Sequence, residues 1–160
     1  GEFYRKGSFK TNDNHNIKTS DGQNNAIMCE FDIEENNQFG IKSLLPTRVF
    51  SIPNQAQGFA ITKTGKMVLS TSYSIPDSKI LIFNIDTSVA SQQTFEIANG
   101  KAPLYILEKS NLERAIKAPT MAEGIDYFGG KLYISFESAC KKYSNFNRTR
   151  IKNILSIEIA

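Results

Sequence analysis

Tryptophan is absent from the 160 residues, histidine occurs once, as His15, and cysteine twice, as Cys29 and Cys140. Each scarcity removes a class of chemistry. A single histidine cannot build a multi-His metal site, and a Cys–His pair would require His15 to meet Cys140 across the fold. Two widely spaced cysteines with no CxxC pair are not a disulfide framework. Cys29 lies in an apolar run and reads as a small buried hydrophobe, whereas Cys140 follows an expected strand beside Lys141 and Lys142. P-loop, GxGxxG, HExxH and GxSxG motifs are missing as well. No apolar run reaches the roughly 20 residues of a membrane-crossing helix, so no membrane span is expected. The opening residues, Gly1 to Gly7, carry neither Met nor a signal-peptide pattern and read as a trimmed or processed segment. The compartment is left open.

The excess of positive charge is also small, and Lys and Arg are scattered. The net charge is +3, with one local cluster at Lys141, Lys142, Arg148, Arg150 and Lys152. That cluster reads as a solvated loop, because a nucleic-acid footprint needs a denser and segregated stripe. What the chain does have is 40% hydrophobic residues and seventeen Phe and Tyr, set in short runs between Gly, Pro, Asn and Ser. This is the composition of an all-β domain.

The chain also repeats itself. Pro53-Asn54-Gln55-Ala56-Gln57-Gly58-Phe59 leads to a turn at Gly65 and the strand Lys66-Met67-Val68-Leu69-Ser70-Thr71-Ser72. Pro119-Thr120-Met121-Ala122-Glu123-Gly124-Ile125 leads to a turn at Gly129-Gly130 and the strand Lys131-Leu132-Tyr133-Ile134-Ser135-Phe136. The spacing from Ala56 to Ala122 is 66 residues and falls to 65 from Gly65 to Gly130. Three versions of a further strand, IMCEFDI, ILIFNID and ILSIEIA, begin at 27, 80 and 154. Self-similarity at fixed spacing indicates stacked copies of one supersecondary unit.

Strands are expected at 25–33, 57–62, 67–73, 79–86, 123–128, 131–138 and 151–159, with a short strand or strand remnant at 2–9 around Phe3, Tyr4 and Phe9. Residues 11–25 read as a long polar loop, ordered or disordered, with its clearest turn at Asp21-Gly22. Residues 41–52, around Pro46, read as an edge-type strand. Residues 91–97 read as a fourth, outer strand followed by an Asn99-Gly100 turn. Residues 104–116 read as two strands joined at Lys109-Ser110-Asn111, with a helix as the alternative. The organisation is then the tail of one unit with a polar loop (1–40), followed by two blade-like repeats (41–100 and 101–160). Antiparallel four-stranded repeats of this kind are parts of a β-propeller; the alternative is a β-sandwich or barrel. Two and a half blades imply neighbours: further blades of a longer chain, a partner chain or a second copy.

The phrase "apolar-Gly, turn, LYIS-type strand" resembles blades of the six-bladed propellers of the gluconolactonase, regucalcin, paraoxonase and strictosidine-synthase group, over residues 50–160. In that group, E-G and N-G openings of inner strands carry side chains to a central tunnel that holds a divalent cation, usually calcium. Glu123-Gly124-Ile125 is similar to the first, and Gln57-Gly58-Phe59 to the second with Gln in place of Asn. The resemblance implies Glu123 and Gln57 as calcium ligands, and carboxylate and carboxamide oxygens suit that hard ion. Hydrogen bonding to neighbouring backbone is the alternative role for both.

Ser70, Ser72, Tyr73 and Ser138, at the ends of second strands, are placed near the same mouth as ligand-binding candidates. Glu123 and Glu137 are the candidates for general acid and base. The family's catalytic Asp has no counterpart, since Ser72 and Ser138 stand at the matching places. Three functions are therefore expected to compete: a ligand- or protein-binding scaffold, a calcium-dependent lactonase-like or esterase-like hydrolase, and an oligomer-forming structural module.

Overall fold

A computed structural model of the chain describes residues 1–98, 100–143, 145–146 and 149–159. Asn99 of the expected Asn99-Gly100 turn and Arg148 of the basic cluster lie outside the described residues. The described residues are all-β, with three short 3-10 turns and no α-helix. In chain order the strands are β1 (Ile17–Thr19), β2 (Gly22–Asn24), β3 (Ala26–Glu30), β4 (Arg48–Ile52) and β5 (Ala56–Ile61). They continue with β6 (Met67–Thr71), β7 (Ser78–Phe83), β8 (Thr94–Ile97) and β9 (Gly100–Ile106). The last four are β10 (Leu112–Ala118), β11 (Ala122–Phe128), β12 (Lys131–Phe136) and β13 (Leu155–Glu158).

Beside the small β1–β2 hairpin there are three larger sheets, with orders β3-β4-β9-β8, β10-β7-β6-β5 and β11-β12-β13. All pairings are antiparallel except β4 with β9, which run parallel. None of the sheets closes into a barrel. The sheets lie face to face because the strands of the middle one are apolar on both sides. Met67 and Leu69 of β6, with Phe83, pack against Ala26, Met28, Phe50 and Ile52 of the first sheet. Val68, Ile80 and Ile82 point the other way and pack against Ala122, Ile125, Leu132 and Ile134 of the third. A strand buried on both faces loses the apolar–polar alternation of a half-exposed one, and Met67 to Ser70 are all buried.

The outer face of the first sheet is covered from within the chain. Val49, Phe95, Ala102 and Leu104 form its cluster, with Ile17 of the β1–β2 hairpin packed on it. The buried His15 ring lies 5.5 Å from that of Phe95, and its Nδ1 is 2.8 Å from Glu2 Oε2. The outer face of the third sheet is mixed: Phe128 and Tyr133 are exposed beside Asp126, Ser156 and the Lys131–Glu158 ion pair.

Three sequence expectations are corrected. The polar stretch 11–25 is not all loop; its β1 and β2 are too short and too polar to show a period. β4 is an internal strand, between β3 and β9, since Pro46 stops two residues short of it and leaves its ladder intact. β8 is not the outer strand of the second sheet. The β8–β9 hairpin crosses over to extend the first sheet, and β10 takes the outer place beside β7. Sheet membership therefore crosses residues 100–101. Residues 104–116 do form two strands, separated by a turn at Lys109–Asn111 that Glu108 and Asn111 cap reciprocally.

The repeated phrase is a repeated structure. Gln55 and Met121 both take positive φ, 64° and 61°. Gln55 O accepts from Ser72 N at 3.1 Å, and Met121 O accepts from Glu137 N at 3.0 Å. Ser70 Oγ approaches Gly58 O at 3.5 Å, and Ser135 Oγ donates to Gly124 O at 3.3 Å. The two copies differ in what faces them. A Cβ on Gly58 would lie 2.5 Å from Glu123 O and 3.0 Å from Ile125 N, whereas one on Gly124 would meet only Ser135 Oγ, at 3.0 Å. Gly58→Ala should therefore destabilise the protein by about 2–3 kcal/mol, because rigid backbone must move apart, and Gly124→Ala by well under half of that. Urea denaturation of the two variants checks this, and equal losses would contradict the packing described.

Candidate functional site

The site begins with two bulges. In β5–β6, Ala56 pairs with Thr71 and Gly58 with Ser70, so Gln57 is an extra residue without a partner. In β11–β12 the register slips in the same way between Ala122 and Ile125, at Glu123-Gly124. A bulge breaks the strict alternation of a strand and re-aims the side chain of the extra residue. The sequence reason is glycine: Gly58 and Gly124 follow the bulged positions, and Gly58 lets β5 come against the β11 backbone. Ser70 Oγ locks this approach by donating to Glu123 O at 2.5 Å.

Gln57 and Glu123 open into one cavity of about 340 Å³ at the end of the sheets where β5 and β11 begin. Ser72, Tyr73 and Glu137 line it too, as do Phe3, Arg5, Ser74, Met121, Lys142 and Tyr143. Five of the seven sequence candidates therefore meet. The other two do not line this cavity. Ser70 is buried between sheets on the Glu123 carbonyl, and Ser138 is buried with its Oγ accepting from Ile151 N at 3.0 Å.

Arg5 and Lys142 were not legible as site residues. Lys142 arrives from a loop, and Arg5 from residues 2–9, which read as a short strand but form only a 3-10 turn at Gly7–Phe9. The path of the chain brings both to the mouth. Arg5 is carried by the N-terminal segment, which Glu2 fixes to β3: Glu2 N donates to Ile27 O at 3.0 Å, and Glu2 Oε2 accepts from Ile27 N at 2.9 Å. The Arg5 guanidinium then lies 4.8 Å from the Phe9 ring centre and 5.1 Å from that of Tyr73. Lys142 lies 4.9 Å from the Tyr143 ring centre.

Burial pushes the Glu123 carboxyl up to about 7, with the nearby Glu137 carboxylate adding to the rise. Removing a carboxylate from water and placing a second negative charge close by both favour the neutral acid. Near neutral pH, Glu123 is thus able both to donate and to accept a proton. Lys142 is held charged by Tyr143 first, with a smaller contribution from Glu137. Among the described residues, no three His, Cys, Asp or Glu side chains group closely enough to hold a metal ion by themselves. Glu123, Glu137 and the Gln57 carboxamide could contribute oxygens to a hard cation, together with oxygens of other origin. His15 is engaged with Glu2, and Cys140 is exposed and forms no disulfide. No family model, curated protein or solved structure matches the chain.

The shifted carboxyl makes stability depend on pH. An acid whose folded value lies above its ordinary value near 4.5 favours the folded state in acid, and this contribution is lost as pH rises to about 7. Glu123→Gln should therefore gain stability relative to the wild type between pH 5 and 8, with the change complete just above 7. Carbon-detected NMR should place the Glu123 midpoint near 7. Glu137→Gln should lower that midpoint without returning it to 4.5, because burial is the larger cause. A wild-type midpoint near 4.5 would contradict the environment described.

Proposed function

We propose that the protein is a binding scaffold built from blades of a β-propeller, and that the cavity at the blade mouth is its ligand site. One observation carries this reading: the bulged residues of two successive copies, Gln57 and Glu123, open into the same cavity together with Ser72, Tyr73 and Glu137. Stacked repeats that each send one polar side chain to a shared mouth form a concave site on a rigid support. The close approach of β5 to β11 supports blades splayed around an axis at that end. A following blade, from a longer chain, a partner chain or a second copy, would sit over Gly124 and Ser135, the counterparts of Gly58 and Ser70.

A second reading is a calcium-dependent hydrolase of lactones or esters, with Gln57 and Glu123 holding the ion. The Glu123–Glu137 pair favours it, since a carboxyl raised to about 7 with a second carboxyl close by has the form of an acid–base pair. Against it stand Ser72 and Ser138 where a catalytic Asp would be needed.

The two readings separate in one set of measurements. For the scaffold, small-molecule fragments should saturably shift the amide resonances of Gly58, Tyr73 and Glu123, with no lactone or ester turnover above buffer, with or without calcium. For the hydrolase, calcium should raise Tm by several degrees in the wild type and not in Glu123→Gln, and turnover should follow the calcium. Turnover would displace the scaffold reading; the absence of any calcium shift would remove the hydrolase.

A further inference from the structure

The cavity holds more charge than either reading uses. Two carboxylates, Glu123 and Glu137, and two cations, Arg5 and Lys142, line one space of about 340 Å³. Among the described residues, none of the four forms an ion pair. Elsewhere on this surface, opposite charges do close on each other: Lys10 with Asp13, Lys66 with Glu113, Lys101 with Glu96, Lys117 with Asp77. At the mouth no such pair closes, and its architecture explains why. Glu123 is fixed by the β11 bulge, and Glu137 follows β12 with its N–H bonded to Met121 O.

Arg5 sits beside two rings. Its guanidinium carbon lies 4.8 Å from the Phe9 ring centre and 5.1 Å from that of Tyr73, cation–π contacts that consume none of its N–H donors. The in-plane N–H donors stay available, and among the described residues none of them is hydrogen-bonded. A planar fork with free donors matches a carboxylate in two-point contact. Lys142, on the loop after β12, is a second cation at the same mouth.

Resting on the reading of this cavity as a ligand site, we infer that its ligand is a small amphoteric molecule. A protonated amine lies at Glu123 and Glu137, and a carboxylate or similar anion at Arg5 and Lys142. Binding a cationic group between two carboxylates relieves their mutual repulsion, and binding an anionic group satisfies the fork. Neither end alone compensates all four charges. The cavity volume lies at the lower end of small-molecule sites, which fits a ligand of amino-acid or slightly larger size.

The test uses four simple probes at pH 8, where Glu123 is ionised: 4-aminobutanoate and 6-aminohexanoate, against butylammonium and butanoate. Binding is followed by calorimetry and by the amide resonances of Arg5, Glu123, Glu137 and Lys142. One of the amphoteric probes should bind about tenfold or more tighter than either single-ended probe, a difference of about 1.4 kcal/mol. Arg5→Gln should remove that advantage while leaving butylammonium binding within about twofold. The inference falls if butylammonium binds as tightly as both amphoteric probes, or if Arg5→Gln weakens all probes alike. In either case the cavity remains a binding site. If no probe shifts the cavity resonances and no fragment does either, the binding reading falls and the inference with it.

Discussion

The structure depends on the near-contact of two backbones. β5 lies so close to β11 that a methyl group at residue 58 would overlap the Glu123 carbonyl. Ser70, from the neighbouring strand, bonds the same oxygen. This one approach sets the separation of the second and third sheets at their inner edge. It also gives the middle sheet its second buried face, with Val68, Ile80 and Ile82 against Ala122, Ile125, Leu132 and Ile134. Burial on both sides of a sheet is what makes a stack of short strands stable, since a single sheet of this size has too little apolar area alone.

The same approach creates the site. Bulges in adjacent sheets would otherwise be independent irregularities. Because β5 and β11 converge, Gln57 and Glu123 share a cavity, and the desolvation that raises Glu123 follows from the crowding of two sheets at one end. The N-terminal segment adds the other half of the chemistry. It runs beside the open edge of β3, where the backbone and carboxylate of Glu2 serve the donor and acceptor of Ile27 as a neighbouring strand would. Its continuation delivers Phe3 and Arg5 to the mouth.

Much of this was legible in the chain because repetition carries its own alignment. The Ala-Gln-Gly and Ala-Glu-Gly phrases, the turn glycines and the Ser at the same strand position mark equivalent places, and these places prove structurally equivalent. The bulges themselves were not legible. Positive φ falls on Gln55 and Met121, residue types that do not announce a left-handed backbone as Gly or Asn would. Alternation tells which face a strand buries but not which strand lies beside it, so the crossing of β8–β9 to the first sheet left no trace in the pattern. Arg5 and Lys142 lie outside any strand, and their meeting with Glu123 belongs to tertiary packing alone.

The parallel ladder between β4 and β9 has a consequence for how the molecule is made. Val49 stands opposite Leu104, so the first sheet waits for chain that is synthesised only after β5, β6 and β7 of the second sheet. Long-range parallel pairing closes slowly, because the loop must be ordered before the ladder rewards it. Assembly therefore cannot proceed sheet by sheet from the N-terminus. β3 and β4 must stay partly unpaired, their apolar faces awaiting partners, until residues 94–106 arrive. The middle sheet, whose β5, β6 and β7 are joined by two short turns, is the natural nucleus on which both neighbours condense.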